Sequence, residues 1–306
     1  MFNPKNNKPT KLRKEKVTIV VRTLNEERYL GELLMMISLQ ESYLFEPEVI
    51  IVDSGSKDKT LEIAKKFGAK ILHIEKNEFT FGKSLNIGCE ISQAKYLAFI
   101  SGHCVPIDNK WLHNLILMLH NGQASYVYGR QTGRDTTKFS ESIVFSKYYG
   151  CNSFISATNF FVNNANSAII TGSWRENKFD EFLTGCEDMD LAKRMICKGH
   201  KIGYASDAAV FHIHDETWAQ VRNRYEREAV ALKIIMPNIK ITYLKFISLL
   251  LLSIIKDVRH AYRKGVLIRE FTGILHFRWN QYVGSRRGNT KLTNPTPDEL
   301  SKYFYP

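Results

Sequence analysis

The chain has 306 residues, 44% of them hydrophobic, and 43 Lys and Arg against 31 Asp and Glu, for a formal net charge of +12. That is enough apolar material for one large domain plus an appendage, and a basic surface of this kind prefers anionic partners: nucleic acid, nucleotide phosphates or an acidic membrane face. Five cysteines (Cys89, Cys104, Cys151, Cys186, Cys197), an odd number without a CxxC spacing, read as free thiols of a reducing compartment and exclude a zinc knuckle.

Residues 1–16 carry six Lys and Arg against one Glu and read as a flexible basic tail with no apolar leader. Val17–Val21 is a buried parallel strand, stopping at Arg22-Thr23-Leu24-Asn25-Glu26. A helix with Leu30, Leu33, Leu34 and Ile37 on one face follows, then a strand over Glu48–Val52 ending at Asp53-Ser54-Gly55-Ser56. The next helix closes at Gly68, and Lys70–His73 is the third strand. A helix from about Lys83 leads to a fourth strand, Tyr96–Ile100, which ends at Ser101-Gly102-His103. Strands alternating with helices imply an α/β fold with a mainly parallel sheet, and ligands of such sheets bind at the carboxyl ends of strands. No GxGxxG follows the first strand and no GxxxxGK[ST] occurs, against a dinucleotide oxidoreductase or a P-loop NTPase.

Further on, Tyr126–Arg130 reads as a strand, and Glu181–Asp190 crowds four carboxylates at a helix start. Such acids can simply complement the macrodipole, but Glu187 and Asp188 point in different directions, so at most one is spent on capping. Ala208–His212 is then strand-like and runs into His212-Ile213-His214, whose two imidazoles face one side. A carboxylate base beside imidazole ligands equips a metal-assisted group transfer.

Four stretches in this order (IVVRTLNEE, VDSGSKDKT, FGKSLNIG, and GCEDMDL with the later HIH) resemble family 2 glycosyltransferases of the GT-A fold, in the branch of bacterial surface-polysaccharide enzymes that includes rhamnosyltransferases. The resemblance covers about Val17 to Thr217. It implies a Rossmann-like, nucleotide-sugar-binding domain over residues 17–240, and an inverting transfer from a UDP- or dTDP-linked sugar to a saccharide or lipid-linked acceptor, as in capsule or O-antigen assembly. Thr23, Asn25, Glu26 and Asp53 would line the nucleoside pocket, with Asp53 on the base; the alternatives are a helix cap for Glu26 and a turn-forming Asp53. Lys83 and Asn86 would meet diphosphate and hydroxyls, unless Lys83 only faces solvent. Ser101-Gly102-His103 stands where the family has Asp-x-Asp. Either a divalent ion, Mn or Mg, would rest on His103, His214 and His212, with Ser101 a poor ligand, or lysine and arginine would take its place. Asp188 would be the base, Glu187 would orient the acceptor, and Asp190 would pair with Lys193 or Arg194. Asn166 and Trp174 would touch the acceptor, with a polar loop and core packing as their respective alternatives.

The C-terminal third differs in composition. Phe246–Ile255 is apolar on nearly all faces but only about half of the ~20 residues that a bilayer span needs. Residues 241–294 read as a basic, aromatic helical extension for a membrane interface or a partner subunit such as a second copy, and 295–306 as a loose tail. The expected location is cytoplasmic, peripheral on the inner membrane face. Two rival readings are a catalytically inactive glycosyltransferase-like subunit and a basic nucleic-acid module. Only residues 256–287 suit the latter, and nothing there explains GCEDMD or HIH, so nucleic acid is not expected as a partner.

Overall fold

The computed structural model describes residues 14–291 and 295–304. Strand β1 (Glu15–Thr23) is the β-branched run extended at both ends. Val17, Ile19 and Val21 point into one core and Val20 into the other, which is why neither face of the run needs a polar residue. There follow α1 (Leu30–Ser38), β2 (Phe45–Asp53), α2 (Thr60–Lys66), β3 (Lys70–His73), α3 (Phe81–Glu90), β4 (Tyr96–Ser101), β5 (Cys104–Pro106) and α4 (Trp111–His120). The second half of the domain holds β6 (Tyr126–Thr132), α5 (Phe139–Tyr148), β7 (Phe154–Ser156), β8 (Asn166–Ile170), α6 (Thr171–Asn177), α7 (Glu187–Cys197), β9 (Ile202–His212) and α8 (Trp218–Ile235). The chain then forms α9 (Tyr243–Arg263), α10 (Leu267–Thr290) and α11 (Pro297–Phe304). The apolar stripe of α1 is buried as its spacing predicts.

The strands lie in the order β3-β2-β1-β4-β8-β6-β9-β5, with β7 beside β9. β1 to β4 are mutually parallel; β8 runs antiparallel to both β4 and β6, and β6 is parallel to β9. Two antiparallel steps restore the direction. Strands β1, β2, β4, β6 and β9 therefore all end on one edge, bringing Thr23, Asp53, Ser101, Thr132 and His212 to the same side of the sheet. The β6–β9 register shifts between Gly129 and Gln131. Asn166 fills that irregularity, its Nδ2 donating to Arg130 O (3.0 Å) and Ala208 O (2.8 Å). Gly129 is required there, because a Cβ would stand 2.2 Å from Ala208 O.

Helix α10 lies so close along α8 that a Cβ at Gly284 or Gly288 would meet the carbonyl of Arg222 or Glu226 at 2.3 and 2.2 Å. Arg278, on α10, grips the fully buried Asp257 of α9 through two bonds (2.6 and 2.9 Å) and also donates to Ser140 O of α5 at 3.4 Å. The loose tail expected for 295–306 is corrected by α11: Tyr303 is buried and donates to Glu226 (3.0 Å), and Phe304 stands edge-on to Phe79 and Phe81. Tyr303 and Phe304 thus anchor α11 to the domain. Residues 1–13 of the expected basic tail lie outside the described residues, and Glu15 and Lys16 already belong to β1.

Replacing Arg278 by Met leaves the Asp257 carboxylate buried without its partner. We expect a loss of about 3–5 kcal/mol in denaturant unfolding, against well under 1 kcal/mol for the exposed Arg269→Met.

Candidate active site

The loops after β1 and β2 are sewn together by their own polar residues. Asn25 takes a left-handed conformation (φ 54°), which Asn tolerates, and from there accepts from Lys57 N (2.9 Å) and donates its own N–H to Ser56 Oγ (2.8 Å). Glu26 N–H donates to Thr60 Oγ1 (2.7 Å). Asp53 sits at the base of this seam, fully buried. Its two oxygens accept from Thr23 Oγ1 (3.0 Å), Ser56 Oγ (2.5 Å), Gly55 N (3.0 Å) and Ser56 N (2.9 Å). Four bonds use up the acceptor capacity of a carboxylate, so Asp53 shapes the loop and has no lone pair left for a nucleobase.

Three imidazoles meet beside that seam. His103 stacks on His212 with centroids 5.2 Å apart, and His212 and His214 lie 4.1 Å apart. One nitrogen from each lies within 4.8 Å of the others. The placement follows from pairing: Cys104 is opposite His212 in the β5–β9 ladder, and Ile213 N–H donates to His103 O (3.2 Å). Each Nδ1 faces an acceptor: Glu26 Oε1 for His103 (2.8 Å), Gln131 Oε1 for His212 (2.7 Å) and Glu141 Oε1 for His214 (2.8 Å). Each Nδ1 is thus placed to carry a proton, and in the neutral form of each ring that leaves the Nε2 lone pair for a ligand. Burial opposes charge on His103, but the Glu26 carboxylate outweighs it and raises its pKa. Burial, then the neighbouring His214 and His103, hold His212 well below the usual range, so it is a neutral ligand-type imidazole. Glu141, His214 and Glu216 form a second group. There the guanidinium of Arg224 already bonds both carboxylates, at 2.7 Å each, and its charge opposes a second cation.

The acid pair opens α7. Cys186 takes φ 56°, uncommon for a residue with a side chain, and turns the chain into the helix. Glu187 Oε1 is paired with Arg22 Nη1 (3.2 Å). Asp188 accepts from Asn164 N (2.8 Å) and Met189 N (2.8 Å) and, among the described residues, has no cation bonded to it. Its burial, and then the charge of Glu187, raise its pKa to about 7; the two N–H bonds and Arg22 act the other way and are outweighed. Asp190 pairs with Arg194 on the helix surface (2.8 Å), one of the two partners expected. Asn164 and Ala165 belong to the turn that leads into β8, and Ala165 O accepts from Ser101 N at 3.4 Å. This turn bridges the acid pair and the Ser101–His103 segment.

Three expected contacts with substrate are corrected. Asn86 is buried and spends all four bonding sites: Trp174 Nε1 and Phe179 N donate to its Oδ1 (3.1 Å each), and its Nδ2 donates to Phe179 O (3.0 Å) and Glu181 Oε1 (2.8 Å). Trp174 is completely buried, so no sugar can stack on it. Asn166 is equally buried, bonded to Trp111 Nε1 (2.8 Å) as well as to the β6–β9 irregularity. Lys83 stands at the start of α3, part-exposed, 3.4 Å from Glu78. Ser101 is half-buried at the strand end. Sequence reading missed Gln131 and Glu141, which hold two imidazoles, and Arg22, which neutralises Glu187. Arg22 and Arg227 both lie over the Phe81 ring, at 4.8 and 4.6 Å, and Arg227 Nε is buried without a hydrogen-bond partner among the described residues. Only Arg22 carried a signal, as a cation at a strand end.

A mixed, mostly parallel sheet flanked by helices, with an acid pair at a helix start and three imidazoles near the strand ends, fits a GT-A glycosyltransferase. The chain belongs to glycosyl transferase family 2, whose model matches residues 18–170, half of its length. It is 27% identical over 224 residues to the O-antigen chain rhamnosyltransferase RfbN of Salmonella typhimurium (strain LT2), covering 69% of this chain and 70% of that protein. Identity to the O-antigen chain rhamnosyltransferase WbaN of Salmonella anatum is 25% over 189 residues, 58% of this chain and 60% of that one. The fold is shared with Staphylococcus aureus TarS 1–349 in complex with UDP (TM-score 0.56, 15% identity, 89% of each chain). It is also shared with mannosyltransferase PcManGT from Pyrobaculum calidifontis in complex with GDP-Man and Mn2+ (TM-score 0.55, 16% identity, 89% of this chain and 73% of that one).

Asn86→Ala should cost about 1–3 kcal/mol of stability, because Trp174 Nε1 and Phe179 N lose a buried acceptor. Thermal unfolding and donor KM, measured together, check this: a lowered Tm with unchanged KM is the expected pair.

Proposed function

We propose that the protein transfers a sugar, with inversion, from a UDP- or dTDP-linked donor to a saccharide or polyprenyl-linked oligosaccharide during assembly of a surface polysaccharide such as O-antigen or capsule, at the inner face of the cell membrane. The observation that carries this reading is Asp188, a buried carboxyl at the strand-end edge, braced by two backbone N–H groups and tuned near neutrality. The O-antigen rhamnosyltransferase relatives support the substrate class, and the complexes of TarS with UDP and of PcManGT with GDP-Man support a nucleotide-linked donor. In the step, an acceptor oxygen forms its bond to the anomeric carbon while the bond from that carbon to the diphosphate breaks on the opposite face. Asp188 takes the hydroxyl proton. Glu187, held by Arg22, keeps that side of the pocket fixed. Arg22, Arg227 and Lys83 supply positive charge for the departing diphosphate. The stitched loops of Asn25, Glu26 and Asp53 form the nucleoside side, with Thr23 and Asp53 acting through loop shape.

His103, His212 and His214 would hold a divalent ion, whose Lewis acidity would stabilise the leaving group. Three imidazoles suit a first-row transition ion, manganese among them when oxygen ligands complete its shell. They suit magnesium poorly, since it takes a near-octahedral shell of oxygens. The three pinned Nδ1 atoms speak against the inactive-subunit reading, which rested on the missing Asp-x-Asp.

Because Asp188 titrates from acid to active base, turnover should rise about tenfold per pH unit below neutrality and level off above it. Asp188→Asn should abolish transfer while donor binding persists. The linkage sign is opposite for stability: with a folded pKa above the unfolded value of ~3.9, the contribution of Asp188 is present at low pH and lost as pH rises through about 7. Substantial turnover by the variant would remove Asp188 as the base.

Manganese should raise the Tm of the wild-type chain and magnesium should not. His212→Ala and His103→Ala should each lose the manganese shift; an unchanged shift in both variants would dismiss this site.

A further inference from the structure

The helical hairpin α9–α10 carries an apolar surface that the transfer site does not use. On α9, Leu244, Leu251, Leu252, Ile255 and Tyr262 recur at helical spacing, with Leu244 79% and Leu252 64% exposed. On α10, Ile268, Phe271, Leu275 and Trp279 do the same, with Ile268 97% exposed. An apolar groove of about 320 Å³, lined by Leu250, Ile254, Leu275, His276 and Trp279, joins the two stripes. The opposite side of α10 is spent on α8, where Ile274 and Phe277 are fully buried. The outer side is thus an apolar patch of the kind that marks an interaction surface.

Charge selects the partner. Residues 242–291 contain ten Lys and Arg against two acids. Both acids are neutralised, Asp257 by Arg278 and Glu270 by Arg269. Lys245, Lys256, Arg259, Arg263 and Lys264 are exposed and form no ion pair among the described residues. A second copy of this chain docked on the same face would set these cations against their own images, and protein interfaces are depleted in lysine at their centres. An anionic bilayer satisfies both demands at once: lipid headgroups pair with the cations, and the acyl boundary takes Leu244, Leu252, Ile268 and Trp279. No helix among the described residues is long and apolar enough to cross a membrane, which leaves a face laid along it.

We propose that the α9–α10 hairpin docks on an anionic membrane surface, lying in its plane. The purpose of this docking rests on the lipid-linked acceptor of the preceding reading; its geometry does not. The test is co-sedimentation of the full chain with phosphatidylglycerol vesicles and with phosphatidylcholine vesicles, at low salt and at about 1 M salt, where the Debye length falls to about 3 Å. Binding is expected to phosphatidylglycerol alone and to weaken at least about tenfold in high salt. Leu252→Glu/Ile268→Glu and Arg259→Glu/Lys264→Glu, all at exposed positions, should each lose vesicle binding at an unchanged Tm. Absence of vesicle binding by the wild-type chain, or full binding by both double variants, overturns the proposal. So does a stable dimer in sedimentation velocity that Leu252→Glu/Ile268→Glu dissociates. The manganese shift is read on the same preparations: if it persists while vesicle binding fails, only the docking falls.

Discussion

The site depends on three hydrogen bonds that never touch a substrate. An imidazole is a useful ligand only when its proton is on the far nitrogen, and that tautomer is set by whatever acceptor the ring faces. Here Glu26, Gln131 and Glu141 set it for His103, His212 and His214. The three acceptors come from three separate places: the loop after β1, strand β6 and helix α5. The convergence of the rings is therefore a property of the whole sheet. It is lost if β6 slips against β9, which explains why the irregularity at Gly129 is locked by the buried amide of Asn166.

The acid pair follows the same logic in reverse. Two carboxylates side by side at a helix start cannot both stay charged in a buried setting without help. Arg22 gives that help to Glu187 alone. Asp188 receives backbone N–H groups, which are weaker than a cation and are outweighed by burial. The asymmetry gives two neighbouring carboxyls different partners, a guanidinium for Glu187 and backbone N–H groups for Asp188.

Much of this was legible in the chain. A continuous β-branched run located β1 and a period-3.6 apolar stripe located α1, because those patterns are imposed by burial within one element. His103, His212, His214, Glu187 and Asp188 were legible because their chemistry is unusual at strand ends and helix starts. Asn86, Trp174 and Asn166 were misread as contacts for substrate. Each has a side chain that suits a sugar, and each spends it on residues 36 to 95 positions away, a pairing that only the folded sheet creates. Glu141 was invisible for the same reason: nothing near α5 in sequence hints at His214.

The hairpin and the site are mechanically joined. Arg278 holds Asp257 of α9 through Nε and Nη2, and the same Nη2 reaches Ser140 O. The next residue, Glu141, bonds both His214 and Arg224. A buried ion pair adds little stability over apolar residues of similar shape, so stability alone does not account for this one. What it does is fix the angle between the outer helices and the start of α5. The first turn of α5 then carries that angle to the ring of His214. Arg278 and Glu141 thus connect α9 to the imidazole cluster through hydrogen bonds.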